Sequence, residues 1–386
     1  MSIYFDNSAT TKISEGAKKK MIEVMENTFG NPSSLHKLGL EAEKAIEGAR
    51  SIILSSLGIN RGVKGELIFT SGGTESNNIA ILGSVFSKAR QGNEKILTTA
   101  GEHSSVEEPL KKLEAQGFKV LRVPTKNGEI DLDFIKENGQ GCILATFMHV
   151  NNETGALYNL KEAFDIVREV SPSCVCHSDC VQSYMKVKFT KKSLGADLIS
   201  ISAHKINGAK GTGALYIDPA IIKAKKIIPI VYGGGQEESF RSGTENVYGI
   251  VAFGAAAKEH YKNLNAEIDT MQSLKDYIIQ GIEAIDGVLV NKPVQGAPHI
   301  ISISVCGIRS ETLLHYLSSK DIYVSSGSAC SSNAPQKSSH ALLSFGLTKD
   351  IADSTVRVSL CPQNTRQEAD MLIEALGEAT KRLARK

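Results

Sequence analysis

No stretch of the 386-residue chain reaches the roughly 20 consecutive apolar residues that a membrane-spanning helix requires. The N-terminal run Met1–Asp6 has neither the basic region nor the hydrophobic core of a secretory signal, so nothing in it directs export. Net charge is also scarce. A balance of +2 and a pI near 8.0 exert no strong pull toward nucleic acid or a membrane surface, and the lysine clusters Lys18–Lys20 and Lys223–Lys226 read as solvated helix faces. The cysteines number seven, an odd count without paired framework spacing, which argues against a disulfide scaffold and for a reducing compartment, the cytoplasm. The G-x-x-x-x-G-K-[ST] phosphate loop is missing. Cys174, Cys176, His177 and Cys180 make C-x-C-H-x-x-C, which is not a usual zinc spacing, and no metal is expected. Internal repeats and long low-complexity linkers are absent too.

What the chain does have is an alternation of apolar runs with helical segments. Strand-like runs fall at residues 66–70, 95–99, 118–123, 142–149, 174–178, 197–202 and 213–217. Helical segments such as 76–89 and 104–116 lie between them. That order predicts an α/β domain around a mostly parallel sheet. A long helical connection over 245–286 leads to a smaller α+β domain, with strands at 300–305 and 354–360 and a last helix at 366–384. The length exceeds one usual domain, so a large domain over 13–255 and a small one from 1–12 and 256–386 are expected.

Three stretches carry chemistry. Ser200–Lys205 is an apolar-alternating run ending in His204 and Lys205 before the glycine-rich Gly208–Gly213. A lysine at the end of a buried strand can be desolvated and form a Schiff base with an aldehyde cofactor, although most strand-end lysines are simply solvated. Upstream, Cys174–Asp179 reads as another buried strand ending in an acid, with Gln182 three residues on. A buried carboxylate there could keep a pyridine nitrogen protonated, and it could equally cap a following helix. Twenty-six residues separate Asp179 from Lys205, enough for a crossover between neighbouring parallel strands, so both could emerge at one carboxyl edge. The third stretch, Glu66–Glu75, runs from a strand into Gly72, Gly73 and Thr74 and then a helix beginning near Ser76. Free N–H groups at that helix start could cup a phosphate, though an ordinary strand-to-helix turn has the same pattern.

Taken with Tyr4–Thr11, Phe29–Ser34 and His36, Thr70–Ser76, Glu102–His103, Met148–Gly155, His177–Gln182, Ser202–Lys205, Gly233–Glu237, Arg241–Thr244, Ser325–Cys330 and Arg357–Ser359, these stretches give the chain a resemblance over nearly its whole length. It resembles the cysteine desulfurases of the NifS/IscS-like group, class V aminotransferases with the fold type I of pyridoxal 5′-phosphate enzymes. The resemblance implies a mostly parallel seven-stranded sheet in the large domain, a homodimer, and L-cysteine as substrate. It implies that Lys205 carries the cofactor and moves the proton of the substrate α-carbon, that His103 stacks on the ring as acid or base, that Asp179 pairs with the ring nitrogen, and that Gln182 bonds the ring hydroxyl. Gly73, Thr74, Ser202 and His204 would hold the phosphate with Thr244 of a second subunit. Asn152 and Arg357 would hold the substrate carboxylate, which a guanidinium can bind bidentately. Cys174, Cys176 and Cys180 are expected to be packed in the interior; Cys180 departs from the family's small residue, and a second thiol beside the ring could be a bystander or could complicate thiol labelling.

Cys330 would take the substrate sulfur as a persulfide and leave alanine as product. Its setting, Ser325–Pro335, is a run of small polar residues that builds no core and resembles the long delivery loop of one branch of the family. The acceptor would be another protein: an iron–sulfur scaffold, or a tRNA-thiolating or thiamin-pathway enzyme. The chain stops at Lys386, soon after the last expected helix, without the tail that scaffold-serving members carry, which leans toward the specialised acceptors. A selenocysteine lyase or an aminotransferase of the same fold would keep Lys205, Asp179 and His103, the aminotransferase without need of Cys330. A noncatalytic sulfur-assembly regulator would lack some of this chemistry, and here none is missing.

Overall fold

The computed structural model describes residues 2–59, 62–87, 94–326 and 339–383. Its first part runs β1 (Ile3–Tyr4), α1 (Glu15–Asn27), α2 (Lys37–Ser56), β2 (Leu67–Thr70), α3 (Gly73–Phe86), β3 (Lys95–Thr99), α4 (Ser104–Ala115) and β4 (Lys119–Val123). A short hairpin, β5 (Thr125–Lys126) and β6 (Glu129–Ile130), precedes α5 (Leu132–Asn138), β7 (Cys142–Met148), α6 (Leu160–Val170), β8 (Val175–Asp179), α7 (Lys191–Leu194), β9 (Leu198–Ser202), β10 (Gly213–Ile217) and α8 (Pro219–Lys223). The second part holds α9 (Val247–Glu283), β11 (Val288–Val290), β12 (Ile300–Val305), α10 (Ser310–Ser318), β13 (Ile322–Tyr323), β14 (Ser325–Ser326), α11 (His340–Phe345), α12 (Lys349–Asp353), β15 (Thr355–Ser359) and α13 (Arg366–Leu383). Among the described residues no helix is long and apolar enough to cross a membrane.

Seven strands form one sheet in the order β2-β10-β9-β8-β7-β3-β4. All neighbours are parallel except β10, which runs antiparallel to both β2 and β9. Both faces are covered by separate apolar clusters, one containing Phe147, Phe164 and Ile201, the other Ile96, Leu144 and Leu198. Double coverage explains why the central strands read as continuous apolar runs. Cys142, Cys174 and Cys176 belong to the first cluster and are buried, and no grouping of potential metal ligands occurs among the described residues.

Helix α9 links this sheet to a second core. Near its start Gly254 lies so close to Ala49 of α2 that a Cβ there would sit 2.7 Å from the alanine Cβ, so the two helices cross in tight contact. Further along, Met271, Leu274, Ile278 and Ile282 join Ile303, Val356 and Leu372 in the core beneath the sheet β11-β12-β15-β14. The N-terminus enters this core as well: β1 pairs with β13, and Ile3 and Phe5 are fully buried in it. Helix α3 starts at Gly73, three residues ahead of the expected Ser76, because Gly72 takes the N-cap position directly after the strand. The expected helix over 76–89 ends at Phe86, and residues 88–93 lie outside the described residues.

The edge strand β2 is protected by a carboxylate. Glu237 Oε2 accepts the Phe69 N–H at 2.8 Å, and its two oxygens receive the Arg50 guanidinium at 2.9 and 3.1 Å. Arg50 also donates to the Leu67 carbonyl. This clamp holds Glu237, Glu238 and Ser239 in left-handed backbone conformations at φ 48°, 53° and 68°, which non-glycine residues adopt at a cost. Replacing Arg50→Met would leave the Glu237 carboxylate buried without a counter-charge. We expect a loss of about 3–5 kcal/mol in urea unfolding; a loss no larger than that of an exposed Lys→Met control would show that the clamp carries no stability.

Candidate active site

Strands β7, β8 and β9 end together at the carboxyl edge, with Met148 opposite Asp179 and Asp179 opposite Ser200. Asp179 is 6% exposed. Its Oδ2 accepts from Asn77 Nδ2 at 2.8 Å and its Oδ1 from the Val181 N–H at 2.9 Å, so it closes a turn and caps no helix. Asn77 lies on the inward face of α3, a partner that the sequence reading did not identify. One strand away, Lys205 closes the single helical turn after β9, and its Nζ donates to the carbonyls of Ser8 and Ala9 at 2.6 and 2.8 Å. Gln182 Nε2 donates to the same Ser8 carbonyl at 2.9 Å. His204 Nδ1 meets Thr10 Oγ1 at 3.1 Å, and burial pushes the imidazole down to about 4, with Lys205 adding to the fall.

The expected phosphate cup falls where β2, β10 and β9 lie side by side, with Gly213 paired to both Thr70 and Ser202. A Cβ on Gly213 would stand 2.7 Å from Gly72 Cα, and one on Gly73 would stand 2.6 Å from Val181 Cγ2. Only glycine permits these approaches. No side chain caps the α3 N-terminus, which leaves its first-turn N–H groups available to an anion. Ser202 Oγ and Gln182 Oε1 are buried with no hydrogen-bond partner, an uncommon state for polar atoms and one that a bound ligand would relieve. Thr74 is exposed at the start of this helix, and the next residue, Glu75, is neutralised by Arg241 at 2.9 Å. The donors and acceptors present therefore suit a phosphorylated pyridine aldehyde: an amine, a buried carboxylate and an open helix start at one sheet edge.

His103 caps α4, its Nδ1 accepting the Ser105 N–H at 3.1 Å. Burial lowers its pKa, while Asp179 opposes the fall, so the ring is neutral near pH 7, with its proton on Nε2. From the second sheet, Arg357 reaches across. Its Nη1 donates to the Asn152 carbonyl at 2.7 Å, its Nη2 pairs with Asp6 at 2.8 Å, and its buried Nε has no partner. The Asn152 side chain is buried beside this contact. Thr244 is exposed, and no hydrogen bond ties it to the others among the described residues. Cys330 lies outside the described residues. Cys180 is fully buried, and burial pushes its thiol up to about 12. It is a packed core thiol, in line with the buried packing expected for this group of cysteines.

Several comparisons bear on this arrangement. The family model described as Aminotransferase class-V matches residues 3–372. The chain is 36% identical over 383 residues to "Cysteine desulfurase IscS 1" of Archaeoglobus fulgidus, covering 98% of this chain and 97% of that protein. It is 38% identical over 384 residues to a "NifS/IcsS protein homolog" of Lactobacillus delbrueckii subsp. bulgaricus, covering 97% and 96%. Among solved structures, a "NIFS-like protein" superposes with a TM-score of 0.91 at 32% identity, over 99% of this chain and all of that one. "SspA in complex with cysteine" superposes at 0.80 with 30% identity, over 94% of this chain and 100% of that one.

Glu102 was not singled out for a role by the sequence reading. Its Oε1 accepts from Thr99 Oγ1 at 2.6 Å and from the Met148 N–H at 2.9 Å, tying the turn that carries His103 to the end of β7. Its Oε2 is buried without a partner, and burial pushes the carboxyl from 4.5 up to about 8, so it is a neutral acid at pH 7. A raised carboxyl stabilises the fold fully below the unfolded value of 4.5, and that contribution is lost as the pH rises through about 8. We expect Glu102→Gln, which cannot ionise, to lose less unfolding free energy than the parent between about pH 5 and about pH 8.5 in urea titrations. Equal losses in the two proteins would place the Glu102 carboxyl in a solvated setting.

Proposed function

The chain belongs to the aminotransferase class-V family and is a pyridoxal phosphate-dependent cysteine desulfurase of the NifS/IscS-like group, and from that premise we propose how its own residues divide the work. The observation that carries the reading is the Arg357–Asn152 contact at 2.7 Å, which brings a guanidinium from the second sheet over the edge where Lys205 and Asp179 emerge. Lys205 would hold the cofactor aldehyde, Asp179 its ring nitrogen, Gln182 its ring hydroxyl, and the α3 start with Gly73, Thr74, Ser202 and His204 its phosphate. When bound, pyridoxal phosphate supplies an electron sink for negative charge at the substrate α-carbon. Arg357 and Asn152 orient the carboxylate of L-cysteine, fixing which bond at the α-carbon faces Lys205, and Lys205 removes that proton. Neutral His103, with its Nε2–H, can donate a proton at the ring face.

Cys330 then acts as nucleophile. Its thiolate attacks the substrate sulfur, an S–S bond forms and the substrate C–S bond breaks, with that electron pair staying on the carbon. The carbon takes a proton and leaves as alanine, while Cys330 keeps a persulfide for transfer to an acceptor protein, either an iron–sulfur scaffold or an enzyme that thiolates tRNA or a cofactor. The exposed Thr244 fits a role in a homodimer in which it completes the partner's phosphate site. Cytoplasmic residence agrees with an odd number of cysteines without framework spacing.

The test is release of alanine and sulfide from L-cysteine with a reducing thiol, comparing the parent with Cys330→Ala at equal bound cofactor. We expect turnover to fall at least about 100-fold in the variant while the absorbance of bound cofactor is kept. Unchanged turnover would remove Cys330 from the reaction and point to a lyase that needs no persulfide.

A further inference from the structure

The segment Asp6–Thr11 is anchored at both ends. At one end the Ser359 N–H donates to the Phe5 carbonyl at 2.7 Å and Ser8 N–H to Ser359 Oγ at 2.9 Å, fastening it to β15. At the other, the Thr11 N–H and hydroxyl both donate to the His204 carbonyl at 2.9 Å, and Thr11 Oγ1 accepts the Asn207 N–H at 2.7 Å. The strap therefore crosses from the second sheet to the turn carrying Lys205. Between its anchors it touches four site residues in succession: Arg357 through Asp6, Gln182 and Lys205 through Ser8, Lys205 again through Ala9, and His204 through Thr10.

We propose that this strap is a working part of the active site, in which the Ser8 and Ala9 carbonyls dock the Lys205 amine whenever it is not bonded to the cofactor, and Asp6 positions Arg357 for the substrate carboxylate. The inference rests on the roles assigned above to Lys205 and Arg357. An amine bonded to an aldehyde carbon keeps at most one N–H and cannot serve both carbonyls, so the two-carbonyl dock serves only the released lysine. Substrate arrival frees that lysine in every turnover, and a defined resting place holds it beside the α-carbon instead of letting four rotatable bonds explore the cavity. The Ser8 carbonyl keeps its Gln182 bond in either state, which holds the strap in register while Lys205 comes and goes. Asp6 occupies one terminal nitrogen of Arg357 and the Asn152 carbonyl the other, fixing the plane of the guanidinium.

Two measurements on the holoenzyme test this. In the first, Thr10 is replaced by its α-hydroxy acid counterpart, which keeps the side chain and turns the Ala9 carbonyl into a weaker ester acceptor. The N–H removed makes only a 3.4 Å contact with the Asp6 carbonyl. L-Alanine is added to free Lys205, and acetylation of Lys205 is followed by peptide mass spectrometry. We expect L-alanine to expose Lys205 in both proteins and the ester form to be acetylated about 5-fold faster. Equal rates would overturn the dock while leaving the site reading intact; no effect of L-alanine on Lys205 in either protein would overturn the site reading and the dock with it. In the second, the L-alanine concentration that half-changes the cofactor absorbance is measured. We expect it to rise about 10-fold in Asp6→Asn, and no change would overturn the positioning role of Asp6.

Discussion

Cationic and basic side chains crowd the region between the two sheets, shielded from water, and the cost of holding them there shapes much of what surrounds them. Arg357 is 6% exposed, and a guanidinium in such a place needs a partner, which Asp6 provides at 2.8 Å. The other bases give way. Burial pushes Lys186 down to about 7, helped by Lys205 and Arg357, and holds His299, which sees Lys186, Lys275 and Arg357, well below its ordinary value. With these bases held toward neutrality, what the site offers an anion is the Arg357 guanidinium. An amino-acid carboxylate suits that group, and an open helix N-terminus at the cup suits phosphate.

Beneath the charged edge the sheet is kept neutral. His177 is fully buried between Thr146 Oγ1 at 2.8 Å and Ser200 Oγ at 2.9 Å, and burial pushes it down to about 3. It ties β7, β8 and β9 together side chain to side chain, two residues below Asp179. Neutral polar bonds of this kind fix strand positions without adding to the positive charge above. The strap from the N-terminus works similarly from the other side where it meets Lys205, with two backbone carbonyls, acceptors whose strength does not change with pH.

The parts of this architecture legible in the sequence are those with local signatures. Apolar runs marked the strands of the seven-stranded sheet to within a residue or so, because strands buried on both faces need no long-range information to declare themselves. The glycine pair marked the cup, yet the helix start was read three residues late, since Gly72 caps it without the usual side-chain signal. Asp6 and Glu102 lie within stretches that carry the resemblance, yet nothing local gives either a role. The value of Asp6 depends on Arg357, which lies 351 positions away, and that of Glu102 on a backbone N–H at Met148. Periodicity and spacing carry no trace of such pairings. Asn77 was missed for a related reason: a polar residue on the inward face of a helix is meaningful only once Asp179 is known to stand opposite.

The thiols differ in how well they suit a sulfur nucleophile. A sulfur nucleophile must ionise and must reach the substrate. Cys142, Cys174, Cys176 and Cys180 are packed into the core, and burial pushes Cys174 well above its ordinary value and Cys180 to about 12. Cys361 is raised by burial as well. Cys306 follows the far end of β12, whose other end, at Ile300, packs against Gly155 beside the Asn152 turn. Ser302 in that strand pairs with Arg357, which leaves roughly 14 Å of strand between Cys306 and the level of Arg357. The four core thiols do not meet these requirements. The seventh, Cys330, stands in a run of serine, glycine, alanine, asparagine and proline with no apolar side chain large enough to bury it, and this composition suits a nucleophile that must first take up sulfur and then present it to another protein.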